Sequence, residues 1–167
     1  VALQIKRPVQ LAWSRAEEIM RLPPRAPARA KLTATLDAAG GIDALVTRIA
    51  VPPTNHEVRA RLFDNAPADV AQRAAAGNAD AAAVDGAASS YAIRHRAVDH
   101  CPADIGLPTG RWRGNADSYT AFFTECFVDE LAARAGTDAL SYRVAMLGGS
   151  PLLARCLLTA TSLGGWE

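Results

Sequence analysis

Lysine is almost missing from this chain: only Lys6 and Lys31 stand among its 18 basic residues, and the other 16 are arginine. Aromatic residues are scarce too, at 6%. Neither sign of charge is in excess, with 18 basic against 17 acidic residues and a net charge of +1. That balance argues against a nucleic-acid partner, which calls for a clear basic surplus. It equally argues against an acidic disordered tail. No apolar run nears the ~20 residues that cross a bilayer, so no membrane span is expected. Cys101, Cys126 and Cys156 are odd in number and widely spaced, with no CxxC. Such a pattern suits neither a disulfide framework nor a zinc module, and buried free thiols are expected instead. The glycine-rich phosphate loops and the G-x-S-x-G nucleophile elbow are also missing.

What fills the chain is alanine, 36 of 167 residues. Together with the arginine preference, this reads as the coding bias of a GC-rich genome. The length suits one domain, or at most two small ones, and suffices for a core without disulfides or metals. The chain opens on Val1-Ala2-Leu3, without Met or a signal peptide, and closes on Gly165-Trp166-Glu167. It therefore reads as a piece of a longer polypeptide.

The pattern along the chain is that of an α+β fold. Val9, Leu11 and Trp13 alternate with Gln10 and Ala12, which predicts a half-buried strand. Ser14-Arg15-Ala16-Glu17 forms a capping box for a short helix to about Arg21, and Pro23-Pro24 forbid its continuation. Two alternating runs, about 29–37 and 42–51, flank Asp37-Ala38-Ala39-Gly40-Gly41 and predict an antiparallel hairpin. Pro52-Pro53 ends it. Pro67 opens a helix through Ala76, stopped by Gly77. A short turn is expected over 79–84, and the region 54–90 should be the loosest. Tyr91 through Val98 reads as another strand. In the C-terminal third, Phe123, Phe127 and Leu131 share one helix face, with Cys126 expected to face the core and Glu130 to pair with Arg134. Gly136 closes that helix. Asp138 caps a second helix to about Leu147, and Ser150-Pro151 start a third, to about Leu163. The whole chain, 1–167, is thus one antiparallel strand-rich part over 1–100, a loop over 107–117 and a group of helices over 118–163.

Few residues carry chemistry. His95 and His100 lie an odd number of positions apart on a strand and face opposite ways, so a metal site there is not expected. Glu125 and Asp129 share a helix face and could tune each other's ionisation, or could complement the helix dipole. The distinctive segment is Gly110-Arg111-Trp112-Arg113-Gly114-Asn115-Ala116-Asp117-Ser118. Two guanidiniums flank an indole just before a helix, whose N-terminal amides favour anions. Arginine adds a planar fork suited to carboxylate or phosphate. The segment either receives an anionic cofactor or is an ordinary cap, with Asp117 or Ser118 closing the helix and the arginines in solvent.

The stretch Leu107-Pro108-Thr109-Gly110-Arg111-Trp112-Arg113, with Ala121-Phe122, Glu125, Phe127 through Ala132 and Ala135 through Asp138, resembles the molybdopterin-binding large subunit of bacterial molybdenum hydroxylases. The similarity is greatest to the isoquinoline 1-oxidoreductase beta subunits of the xanthine dehydrogenase and aldehyde oxidase family. Arg7 through Glu18, Leu36 through Gly40, and Asp85-Gly86-Ala87 with Tyr91-Ala92-Ile93 are similar to earlier segments of that family. The resemblance implies an enzyme that hydroxylates an N-heterocyclic or aldehyde small-molecule substrate with oxygen from water. Its cofactor would be molybdenum–molybdopterin, as the cytosine dinucleotide. Its partners would be an iron–sulfur small subunit and the remaining segments of the same large subunit, in the bacterial cytoplasm or periplasm. Arg113, Gly114 and Asn115 are the implied cofactor-binding residues. No catalytic residue is implied here, because the family's base glutamate lies in a region outside this chain, so the chain alone should not turn over. Asn115 stands where xanthine-oxidising relatives carry an aromatic, so a purine substrate is not implied. Ala116 and Thr120 replace a glycine and an asparagine of the family pattern. They leave room for an alternative: a non-catalytic scaffold or binding domain with a degenerate cofactor site.

Overall fold

The structure is a computed structural model describing residues 1–166. Two alternating runs pair as expected: Arg29–Leu36 (β1) and Ile42–Val51 (β2) form an antiparallel ladder with a bulge between Thr35 and Leu36. Asp37 closes the turn, its carboxylate accepting the amides of Ala39 and Gly41. Ahead of the hairpin lie Ala2–Ile5 (α1) and Arg15–Arg21 (α2). The Ser14 hydroxyl accepts the Glu17 amide at the start of α2.

A third strand, His95–Pro102 (β3), joins β2 in parallel, giving the order β1-β2-β3. A parallel neighbour requires a long crossover. Residues 52–94 supply it with Thr54–Phe63 (α3), Ala68–Ala75 (α4) and a 3-10 turn over Ala81–Val84. The C-terminal helices are Asp117–Arg134 (α5), Ala139–Ala145 (α6) and Pro151–Leu163 (α7). The architecture is α+β, a mixed three-stranded sheet with a C-terminal helix group.

Being central, β2 turns Leu45, Thr47, Ile49 and Val51 inward at alternate positions, and all four are buried. Burying each large aliphatic side chain contributes about 1.5–3 kcal/mol. Val128 and Leu131 pack with Ile42 and Leu45 at the start of β2. Tyr119 and Phe123 lie against Ile49 and Val51 at its end. Helix α5 therefore runs antiparallel to β2 across the inner face of the sheet. This places the N-terminus of α5 beside the C-terminal ends of β2 and β3.

Several expectations are corrected. Residues 9–13 form no strand; Val9, Leu11 and Trp13 are exposed, with no neighbouring strand to reward an extended ladder. Tyr91 and Ile93 are buried in the core, but on irregular backbone, and β3 starts only at His95. Helix α3 was not foreseen. All three cysteines are exposed: Cys101 on the sheet's outer face, Cys126 on the flank of α5, Cys156 on α7. The buried stripe of α5 is Thr120, Thr124, Val128 and Leu131 with Ala132. It is offset from the aromatic face, because two threonines can return their hydroxyls to carbonyls one turn back and so approach the sheet closely. Ser150 makes no side-chain cap, although Pro151 opens α7. No helix among the described residues is long and apolar enough to cross a membrane.

Candidate functional site

Residues 109–118 cover the end of the β3–α5 connection and the first residues of α5, and long-range contacts clamp them at both ends. At the first end, α3 presents Glu57, 1% exposed. Its carboxylate accepts the Thr109 amide at 2.7 Å and the Thr109 hydroxyl at 2.9 Å. Arg61, one turn on, donates to the Thr109 carbonyl at 2.6 Å and lies 3.8 Å from Glu57. Thr54 shares a 2.7 Å hydrogen bond with the Thr109 hydroxyl. The chain is thus fixed just before the arginine segment begins.

At the second end, the proline-rich segment before β1 takes over. Proline offers carbonyls but no N–H, and these carbonyls are used. Gly110 donates its amide to Pro24, and the Trp112 indole donates to Pro23 at 3.0 Å. A side chain at Gly110 would sit 2.8 Å from the Pro23 carbonyl, so only glycine fits this approach. Arg25 then reaches across. Its guanidinium donates to the carbonyls of Arg113 at 3.0 Å and Asn115 at 3.2 Å, and to the Ser118 hydroxyl at 2.8 Å.

That grip orients the loop. In a planar trans peptide the N–H opposes the preceding C=O. Pinning the carbonyls of Arg113 and Asn115 toward Arg25 turns the amides of Gly114 and Ala116 to the opposite side. Gly114 (φ +79°) and Asn115 (φ +35°) both take positive φ to make this turn. The Asn115 amide is spent on the Trp112 carbonyl and Ala116 is buried, so the Gly114 amide is the one this loop offers to an outside acceptor.

The structure brings Arg113, Gly114 and Asn115 together in this one loop. The Arg113 side chain is exposed and makes no ion pair among the described residues. Arg111 is engaged, donating to the side-chain oxygens of Asn115 and Asn55, each at 3.1 Å. A hollow of about 40 Å³ lies between Arg25, Arg111, Trp112, Asn115 and Tyr119. Arg113 does not line it. The cap at α5 is not the expected one: no side chain caps the helix, and the Ser118 hydroxyl donates to the Asn115 carbonyl.

Behind the loop, Asp80 and His100 hold the crossover. Asp80 is buried and accepts the Asn55 and Ala82 amides. The His100 ring lies between the Asp80 amide and the Val51 carbonyl, at 2.9 and 3.0 Å. With Nδ1 accepting the Asp80 N–H, Nε2 carries the proton and donates to Val51. His95 is exposed. Among the described residues no three His, Cys, Asp or Glu side chains gather as metal ligands.

Glu125 and Asp129 are bridged by a cation from α6. Arg143 donates to Glu125 at 2.9 Å and to Asp129 at 2.6 Å. The pair is therefore a two-carboxylate cradle for one guanidinium, and Glu130 and Arg134 are both exposed. The Tyr91 hydroxyl also donates to Glu125.

Burial, with the Glu125 carboxylate second, pushes the Tyr91 phenol up to about 12. Burial, then the charges of Asp80 and Asp85, does the same for Tyr119. Both phenols stay protonated in the fold at a pH where the unfolded chain, with an ordinary tyrosine pKa of about 10, has lost the proton. Their contribution to stability is whole below pH 10 and is lost as pH rises to about 12. Urea unfolding across that window should show the decline. The double variant Tyr91→Phe/Tyr119→Phe should flatten it; an unchanged slope would contradict the assignment.

Sequence reasoning missed Arg25, Glu57 and Arg61. The Glu57–Arg61 spacing is a favourable i,i+4 helical pair, which was a usable signal for α3. Nothing local marks Arg25. No protein-family model matches this chain, and no curated protein matches it.

Proposed function

We propose that this chain is part of the large subunit of a molybdenum hydroxylase of the isoquinoline 1-oxidoreductase and aldehyde oxidase type. Its 109–118 loop would meet the anionic portion of a molybdenum–molybdopterin cofactor, in the cytosine dinucleotide form. The observation that supports this most is the Arg25 grip, which turns the amide of exposed Gly114 away from Arg25 and leaves the Arg113 guanidinium free. A free amide and an unpaired guanidinium suit phosphate oxygens. The donors therefore fit the group, whereas the 40 Å³ hollow does not hold it; that space suits a water-sized occupant. The cofactor would lie along the outer side of the loop, covered by other segments of the same subunit.

When bound, such a cofactor supplies the redox chemistry for placing a water-derived oxygen on an N-heterocyclic or aldehyde carbon, with electrons passing to an iron–sulfur partner. The residues here would bind and orient. Arg113 would bring the mobile charge, Gly114 close backbone approach, and Asn115 the bond that steadies Arg111. No base for the reaction is assigned within this chain.

A second reading, a scaffold or binding domain with a degenerate site, is favoured by one observation. Ala116 and Thr120, where the family pattern has glycine and asparagine, are both buried. The Thr120 hydroxyl donates to the carbonyls of Asp85 and Ala116. These positions serve packing.

The two readings separate in the intact gene product purified with its partner. Arg113→Ala should lower molybdenum content several-fold while leaving the melting temperature of the cofactor-free protein unchanged. Arg111→Ala should lower the melting temperature, because it breaks the ties to Asn55 and Asn115. Equal, wild-type molybdenum content in both variants would sink the cofactor assignment.

A further inference from the structure

A second cavity, of about 340 Å³, begins one turn into α5, between the 86–91 segment, α5, Arg143 of α6 and the apolar side of α7. Its walls include Leu147, Leu153 and Leu157. Its polar groups are Glu125, Tyr91 and Arg143, with the hydroxyls of Ser89, Ser90 and Thr124. A volume of this size, apolar with a few convergent polar atoms, is what small-molecule sites present.

The hydrogen bonding selects the occupant. Arg143 has five N–H donors. Four are spent: on Glu125 Oε2, Asp129 Oδ1, the Ala139 carbonyl and the Glu125 carbonyl. Tyr91 has spent its proton on the same Glu125 Oε2. Thr124 donates to the Thr120 carbonyl. Arg96, the other cation near this rim, donates to the Ser89 carbonyl and does not line the space. What remains is an acceptor, Glu125 Oε1, on a side chain 44% exposed, beside one Arg143 N–H and the small hydroxyls of Ser89 and Ser90. Asp129 adds a second negative charge behind it, against the single positive charge of Arg143.

We infer that this cavity binds a small amphipathic cation, an ammonium group on a hydrocarbon body. Its N–H would donate to Glu125 Oε1, and its body would rest on the α7 leucines. Arg143 and Tyr91 act as positioning residues that hold the carboxylate in place. Small carboxylates are disfavoured, since Arg143 keeps only one N–H and the two carboxylates it serves repel a further anion.

Benzylammonium is a suitable probe, with benzyl alcohol and benzoate as neutral and anionic counterparts. Amide NMR titration of the chain should show saturable shifts at residues 89–91, 121–125 and 153–157 with benzylammonium, in the millimolar range expected of so small a ligand. Benzyl alcohol should bind about tenfold more weakly, and benzoate not at all. Glu125→Gln should weaken benzylammonium binding about tenfold while still accepting the Tyr91 hydroxyl. Leu153→Trp keeps the carboxylate but fills the cavity from a half-exposed position, and should abolish binding. Benzoate binding as well as the amine, full binding by either variant, or no saturable shift at these residues would overturn the inference.

Discussion

Glu57→Ala should destabilise the fold by about 3–5 kcal/mol, the cost typical of removing one partner from a buried ion pair. The carboxylate is almost wholly buried and serves three groups at once: the Thr109 amide, the Thr109 hydroxyl and the Arg61 guanidinium. Its loss strands a buried N–H, at a cost of about 1–3 kcal/mol, and leaves Arg61, 18% exposed, without a counter-ion. Urea denaturation measures the change directly. The double variant Glu57→Met/Arg61→Met should recover only the part due to the uncompensated charge, since the Thr109 amide and carbonyl stay unpaired. Hydrogen exchange at 109–113 should quicken in the single variant, because Thr109 is where the arginine loop is fastened. A change under about 1 kcal/mol would show that the clamp contributes little beyond a surface ion pair.

Gly86→Ala should cost about 2–4 kcal/mol, adding left-handed backbone strain to overpacking. Gly86 has φ of +79°, and a β-carbon there would lie 2.2 Å from Asp117 Oδ1 and 2.9 Å from the Thr120 hydroxyl. This glycine lets the crossover touch the first turn of α5, next to the candidate site. Gly77 provides the control. Its φ is +78°, but nothing lies within 4 Å of a β-carbon built on it. Gly77→Ala should therefore show the strain alone, about 1–2 kcal/mol. Asp117→Ala in the Gly86→Ala background should return part of the difference, a coupling that a double-mutant cycle isolates. Equal losses at the two glycines would mean that the Asp117 contact carries no weight.

The elements written in short range were legible in the sequence. Hairpin alternation, the Ser14 cap of α2 and the Asp138 cap of α6 are set within a few residues, and each stands as expected. The failures share one cause. Val9 to Trp13 has a strand's alternation but no partner strand, and pattern alone does not supply one. The buried stripe of α5 depends on how closely the sheet approaches, which favours Thr120 and Thr124 over the neighbouring aromatics. At the site, the sequence marked the arginines and glycines that form the loop. It did not mark what holds them. Arg25 grips carbonyls 88 and 90 positions away, and Glu57 meets Thr109 across 52. Such contacts are fixed by the β2–crossover–β3 topology, which no local pattern encodes. For the same reason Arg111 and Arg113, alike in sequence, part ways in the fold, one tied to asparagines and one free.

The central claim is that the loop gripped by Arg25 faces an anionic prosthetic group through Arg113. An experimental structure of the intact gene product carrying its cofactor tests this most directly. The Arg113 guanidinium and the Gly114 amide should lie within about 3 Å of phosphate or pterin oxygens, the range of charge-assisted hydrogen bonds. A cofactor seated elsewhere, with Arg113 still in solvent, would contradict it.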